Sequence, residues 1–405
     1  MGKPVSIVLA GIGGMGAVYL DALLENKEKR DFRLAGTVDP QPQRCPRLPD
    51  LQTTGIPVFE SLEEFYKLHR ADLAVIASPI QFHCGQTCFA VSRGSSVLLE
   101  KPGAGTVQEV YRMREAEKTS GRWVAVGFQW SFSTAIQALK KDVRAGLYGR
   151  PHRLKCLYLW PRNEAYYRRN DWAGKIKDAE GRWILDSPVN NAMAHDLHNM
   201  LYVLGQERER AALPVRIEAE LFRAHEIENC DTAALRCFTG DGVEILFFVS
   251  HAVSVDTGPV ISYEFEQGLI GGAGRGAEIK GSSLTGEKNY GSPDSEPLRK
   301  LWEAIDATDG RSLPACGLEA ALGLTLAVNG AQDSSPEAIG FPPDLIVSRG
   351  EPGSRDVTVT GLAEALEECY AKNALPSELG VSWGRKGRTV SLTDYVYFPG
   401  GVTLT

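Results

Sequence analysis

The chain has 405 residues, 43% hydrophobic and 23% charged, which is enough for two globular domains with their own cores and excludes a disordered or fibrous protein. With 44 Lys and Arg against 51 Asp and Glu, the formal charge of −7 offers no basic field to hold a nucleic-acid backbone. Eight cysteines without a C-x-x-C pair imply reduced thiols, and the apolar run Val5 to Ala10 is too short to span a bilayer, so a cytoplasmic protein without a membrane partner is expected.

Along residues 1–130, short β-branched runs alternate with helical stretches. Strands are read at Val5 to Ala10, Leu34 to Asp39, Leu73 to Ala77, Ser96 to Glu100 and Trp123 to Gly127, and helices at Ser61 to His69 and Val107 to Thr119. This is the pattern of an α/β domain with a doubly wound parallel sheet of the Rossmann type.

Directly after the first strand comes Gly11-Ile12-Gly13-Gly14-Met15-Gly16, followed by the helical run Ala17 to Glu25. Gly11 permits the tight turn, Gly13 lets the backbone approach a pyrophosphate, and Gly16 lets helix and strand pack closely. The helix start then offers free N–H groups to phosphate. Asp39, 23 residues beyond Gly16, can accept hydrogen bonds from an adenosine ribose and would repel a 2′-phosphate. NAD is therefore expected over NADP, with Arg44 nearby softening the preference. The other reading of Asp39 is a turn former before Pro40.

After residue 130 the texture changes. Alternating segments at His152 to Trp160, Val215 to His225, Asp231 to Phe238, Val243 to Val253 and Val260 to Gln267, joined by turns such as Thr239-Gly240-Asp241-Gly242, indicate an α+β domain over residues 131–405 on an open, mainly antiparallel sheet. The glycine-rich stretch Gly268 to Gly281 lacks a G-K-[ST] ending and reads as a turn or loop. Beyond Ser335 a helix at Leu362 to Lys372 is expected, with no functional reading for that segment.

Glu100-Lys101-Pro102 ends a buried strand at the carboxyl edge of the sheet, where such folds bind ligands. By itself Lys101 could equally be a strand-end lysine. Together with Ala77-Ser78-Pro79, His83, Phe128-Gln129 and Gly146-Leu147-Tyr148-Gly149, this segment resembles the Gfo/Idh/MocA family of sugar and cyclitol dehydrogenases. The resemblance implies that Ser78, Pro79, His83, Glu100 and Lys101 border the dinucleotide, that Lys101 binds the substrate hydroxyl, and that a histidine from the second domain completes the site. It also implies a homo-oligomer, dimer or tetramer, associating through the open sheet face.

The matching helix runs from Asn190 to Leu204. Asn191, His195 and His198 are spaced i, i+4, i+7 and would share one helix face. His195 is the expected general acid/base and Lys101 would steady the developing oxyanion. Asn191 stands where the family usually has aspartate, and His198 replaces another acid, so the proton relay is expected to differ. No metal site is expected, because His195 and Asp196 point about a hundred degrees apart on a helix and no third ligand is at hand.

Between the second-domain strand and this helix lie Tyr158-Leu159-Trp160 and Tyr166-Tyr167-Arg168-Arg169-Asn170-Asp171-Trp172. Tyr166, Arg168 and Trp172 are expected to wall a sugar or polyol pocket, the alternative being aromatic cover for a core edge. The expected activity is hydride transfer between a nicotinamide and a secondary alcohol of a sugar, glycoside or cyclitol. Redox-neutral sugar chemistry on tightly bound NAD and a non-catalytic dinucleotide sensor are the alternatives.

Overall fold

The computed structural model describes residues 3–310 and 312–400, so the domain ranges 1–130 and 131–405 reach beyond the described residues at both ends. Six strands, β1 (Val5–Ala10), β2 (Phe32–Val38), β3 (Val58–Phe59), β4 (Leu73–Ile76), β5 (Ser96–Leu99) and β6 (Val124–Val126), form an all-parallel sheet in the order β3-β2-β1-β4-β5-β6. Every residue of β4 and β5 is buried, since helices cover both faces. Local chemistry sets the helix ends: Ser61 accepts from the Glu64 amide, Thr106 and Glu109 form a capping box, and Gly121 closes its helix in the left-handed region. The chain winds outward both ways from β1 and β4, opening a crevice at their carboxyl ends.

The second sheet comprises β7 (Pro151–Leu159), β8 (Pro214–Arg223), β9 (Thr232–Thr239), β10 (Glu244–Ser250), β11 (Thr257–Phe265), β12 (Gly268–Ala273), β13 (Ile279–Ser283), β14 (Gly286–Gly291) and β15 (Ile339–Gly340), ordered β14-β13-β12-β11-β7-β10-β9-β8-β15. Only β7–β10 and β8–β15 pair in parallel among the described residues. The helices Ala194–Val203 and Leu318–Ser334 pack on one face, and the second of these also packs on the helix Val107–Ser120 of the first domain.

Three expectations are corrected. The stretch Gly268 to Gly281 is no loop but the hairpin of β12 and β13. Its glycines are needed because Tyr148 lies across both strands: a Cβ on Gly281 would sit 2.0 Å from the Tyr148 hydroxyl, and one on Gly268 2.6 Å from its ring. The expected helix from Asn190 is broken, with a π-turn at Pro188–Ala192, a non-helical Met193, and a regular helix only from Ala194.

The face of this open sheet that was expected to be free is also covered. Leu157, Leu159, Phe222, Ala234, Leu246 and Phe248 point to the face away from those helices, where Phe341, Leu362, Leu366, Cys369 and Trp383 of the C-terminal segment bury them. Both faces being covered explains why Ile245-Leu246-Phe247-Phe248-Val249 is a continuous apolar run, not an alternating one.

The helix Arg299–Ala307 returns to the first domain, with Trp302 against Phe32 and Arg30 over the Trp302 ring. The body around the parallel sheet thus includes residues far beyond 130. No described helix is long and apolar enough to cross a membrane.

Candidate active site

A cleft of about 1010 Å³ opens at the carboxyl ends of the parallel strands and runs to the second domain. At one end is the glycine turn. Gly11 has φ +82°, and a Cβ there would strike Ala77 and Ser78 backbone at 2.8 Å; a Cβ on Gly16 would meet the Gly11 carbonyl at 1.9 Å. Gly13 and Gly14 face open space, so their backbone is bare toward the cleft. Ile12 and Gly16 are buried behind them. Asp39 also lines the cleft, and its carboxylate accepts the Ile12 amide at 3.0 Å and the Gln41 amide at 2.8 Å, which ties the turn to the end of β2.

Ser78, Pro79, His83, Glu100 and Lys101 all border the same space. The His83 ring nitrogens lie 2.9 and 2.8 Å from the Pro102 and Ser78 carbonyls, so this side chain straps two cleft loops together. Glu100 accepts from Tyr19 and forms a buried ion pair with Lys300. Burial pushes its carboxyl up, but the Lys300 ammonium outweighs this and holds it below the ordinary range.

Lys101 Nζ donates to both the side-chain and backbone oxygens of Asn191, each at 2.9 Å. The Asn191 amide in turn donates to Asp186 at 2.8 Å, and Asp186 also accepts the Gly174 amide at 2.6 Å. Burial pushes the Asp186 carboxyl up, opposed by those two donors. Burial lowers Lys101 to about 8, with Glu100 opposing and Lys300 reinforcing the shift. His195 lines the cleft beside this chain, its ring edge-on to Phe128 and stacked on Trp130. Burial, followed by the Lys101 and Lys300 charges, drives its imidazole well below 6.5, and Nδ1 is buried without a protein partner.

Two expected substrate residues are elsewhere. His198 is 1% exposed, stacked 3.9 Å from Phe128, with Nε2 at 3.0 Å from Ser131 Oγ; one turn beyond His195 on the same regular helix, it is packed into the core, while Asn191 and His195 line the cleft. Arg168, at the end of the short helix Glu164–Tyr167, points away toward Glu164 and Gly353. Its neighbour Arg169 lines the cleft instead, with Tyr166, Asn170 and Trp172.

Sequence reasoning missed Asp186, Lys300 and Arg169. Asp186 had a signal: an acid five residues before Asn191 and two before Pro188. It follows Leu185, which holds φ 53°, a strained conformation of the kind found at functional sites. Lys300 had none. Among the described residues no cluster of His, Cys, Asp and Glu could hold a metal.

Residues 5–128 match the family model described as "Oxidoreductase family, NAD-binding Rossmann fold". These residues are the NAD-binding Rossmann domain of a Gfo/Idh/MocA oxidoreductase. Relatives include the rhizopine catabolism protein MocA of Rhizobium meliloti, 25% identical over 199 residues covering 49% of this chain and 57% of that protein. An inositol 2-dehydrogenase of Acidothermus cellulolyticus is 30% identical over 164 residues, covering 37% and 47%. The chain thus spans about half the length of these curated relatives. Among solved structures, the WlbA dehydrogenase of Bordetella pertussis, in complex with NADH and UDP-GlcNAcA, is similar with TM-score 0.68 at 20% identity, covering 82% of this chain and 97% of that one. This likeness concerns the fold, and it extends over both domains.

Proposed function

We propose that this protein is a Gfo/Idh/MocA dehydrogenase that moves a hydride between a nicotinamide dinucleotide and a secondary alcohol of a sugar, glycoside or cyclitol. The observation that carries the reading is the meeting of Lys101, from the sheet edge, with Asn191 and His195, from the second domain, in a cleft continuous with the glycine turn. Relatives named inositol 2-dehydrogenase support the substrate class.

The residues fit the dinucleotide. The bare backbone at Gly13 and Gly14 leaves room for a pyrophosphate that a Cβ would fill, and the helix from Met15 directs its amide ends there. Asp39 would take the ribose hydroxyls and disfavour a 2′-phosphate, hence NAD over NADP. When bound, the nicotinamide supplies the hydride acceptor.

The remaining chemistry belongs to side chains. Asn191, oriented by Asp186, holds Lys101 Nζ toward the second domain, where the substrate hydroxyl would sit. A group near 8 is matched to exchange a proton at neutral to mildly basic pH, so Lys101 takes the hydroxyl proton as the carbon loses hydride. Neutral His195 hydrogen-bonds the same oxygen and completes the relay. This reverses the emphasis expected from sequence, because burial leaves imidazole the weaker base.

The test is absorbance of reduced nicotinamide with a panel of sugars and inositols for wild type, Lys101→Ala and His195→Ala. The expected result is turnover in the wild type and a loss of at least about a hundredfold in the lysine variant, with cofactor binding retained. Near-normal turnover in both variants would remove the assignment.

A further inference from the structure

From the glycine hairpin to the cleft, cations and aromatic rings alternate. Arg275, in the turn between β12 and β13, lies 4.0 Å from the Trp160 ring centre. Arg162 lies 3.6 Å from the same ring and 4.7 Å from Tyr166; Arg169 lies 3.7 Å from Tyr166 and 5.1 Å from Trp172. The sequence is Arg275-Trp160-Arg162-Tyr166-Arg169-Trp172 in space, built from the end of β7, the short helix after it and a hairpin more than a hundred residues later. Its inner members Tyr166, Arg169 and Trp172 line the cleft that holds Lys101.

Two of the three charges on this ladder, those of Arg162 and Arg169, have no ion-pair partner among the described residues. Among the described residues, the carboxylate within ion-pairing distance of these three arginines is Asp256, which serves Arg275. Arg169 donates to the Tyr166 carbonyl, and its nearest anionic influence in the cleft is Asp186, which is already bonded to Gly174 and Asn191. Arg162 has its Nε buried with no partner. Gathering guanidiniums against one another in a protein of net charge −7, with carboxylates plentiful elsewhere, is unfavourable unless an anion completes the set. The stacking fixes each fork, leaving its N–H edge for bidentate bonds to carboxylate or phosphate oxygens. Aromatic faces between the forks suit sugar C–H surfaces or a planar ring.

We propose that this ladder is the anion subsite of the cleft, and that the substrate is a sugar or cyclitol derivative carrying a carboxylate or phosphate held by Arg169 and Arg162. The reacting hydroxyl lies at Lys101 and His195, so the inference rests on the reading above for that end alone. The anionic group lies toward Tyr166 and Trp172, and a longer ligand would continue to Trp160 and Arg275.

The experiment is calorimetric titration of glucose, glucuronate and glucose 6-phosphate into the protein saturated with NAD+, which keeps phosphate off the glycine turn. At least one anion is expected to bind tighter than glucose, and which one distinguishes carboxylate from phosphate. Arg169→Gln and Arg162→Gln should each weaken that anion roughly tenfold or more, as for hydrogen bonds to charged groups, and weaken glucose far less. Arg169→Lys, keeping charge but not the fork, should fall between, and added salt should weaken the anion alone. Equal affinity for all three probes, no binding of either anion, or anion affinity unmoved by both Gln variants would overturn the subsite. Binding needs no turnover, so a protein that takes the anions but never reduces NAD+ would end the dehydrogenase reading and leave this one standing.

Discussion

Glu100 and Lys300 form an ion pair between side chains only 8% and 2% exposed, joining the last residue before Lys101 to a helix two hundred positions later. Removing one partner strands a buried charge, which costs about 3–5 kcal/mol. Lys300→Met should therefore lower the thermal midpoint steeply in circular dichroism, and the double variant Glu100→Gln/Lys300→Met should recover much of it. A single variant as stable as the wild type would mean that the carboxylate is not stranded.

The pH profile separates the two proton carriers. Lys101, lowered to about 8 by burial, is a base only above that value, so kcat/KM for alcohol oxidation should rise through about pH 8 and level off beyond it. Were His195 the carrier, the rising limb would lie well below 6.5, where its own deprotonation falls. Measured in the direction of carbonyl reduction, where the protonated lysine is required, the Lys101 limb should fall through the same value.

Asp39 does double duty, facing the ribose site and accepting the Ile12 amide. Asp39→Ser keeps a hydrogen-bond acceptor and removes the charge. The ratio of kcat/KM for NADP to that for NAD should rise roughly tenfold or more, since a like-charge contact of about 1–4 kcal/mol disappears. A ratio that stays put would mean that Asp39 only braces the glycine turn.

Much of this arrangement was legible in the sequence, for local reasons. The strand, glycine turn, helix and Asp39 lie within one βαβ unit, so their relative geometry follows from the short chain between them. Lys101 at a strand end and Asn191 with His195 before a helix are likewise set by nearby residues. His198 was misplaced because spacing assigns a helix face but not how far along the helix the cleft extends, and one turn beyond His195 the ring is packed against Phe128 and Ser131. Arg168 was chosen over Arg169 because a helix of four residues gives no period to orient them. Lys300 and Arg275 reach the site through long-range packing, for which spacing carries no signal.

The C-terminal segment leads to the last prediction. The family resemblance implied a sheet face free for a second copy, yet Leu366 and Trp383, 0% and 5% exposed, lie against Phe222, Phe248 and their neighbours on that face. The continuous apolar run of β10 is what such double coverage requires. Leu366→Ala should cost about 2–5 kcal/mol, because the site is fully buried and can collapse only in part. Trp383→Ala should cost about 3–5 kcal/mol, less than additively with the first where they share neighbours. Sedimentation should show more self-association in the double variant than in the wild type, as Leu157, Leu159 and Leu246 become available to another molecule. A double variant that melts with the wild type and sediments unchanged would mean that the segment rests on the face without sealing it.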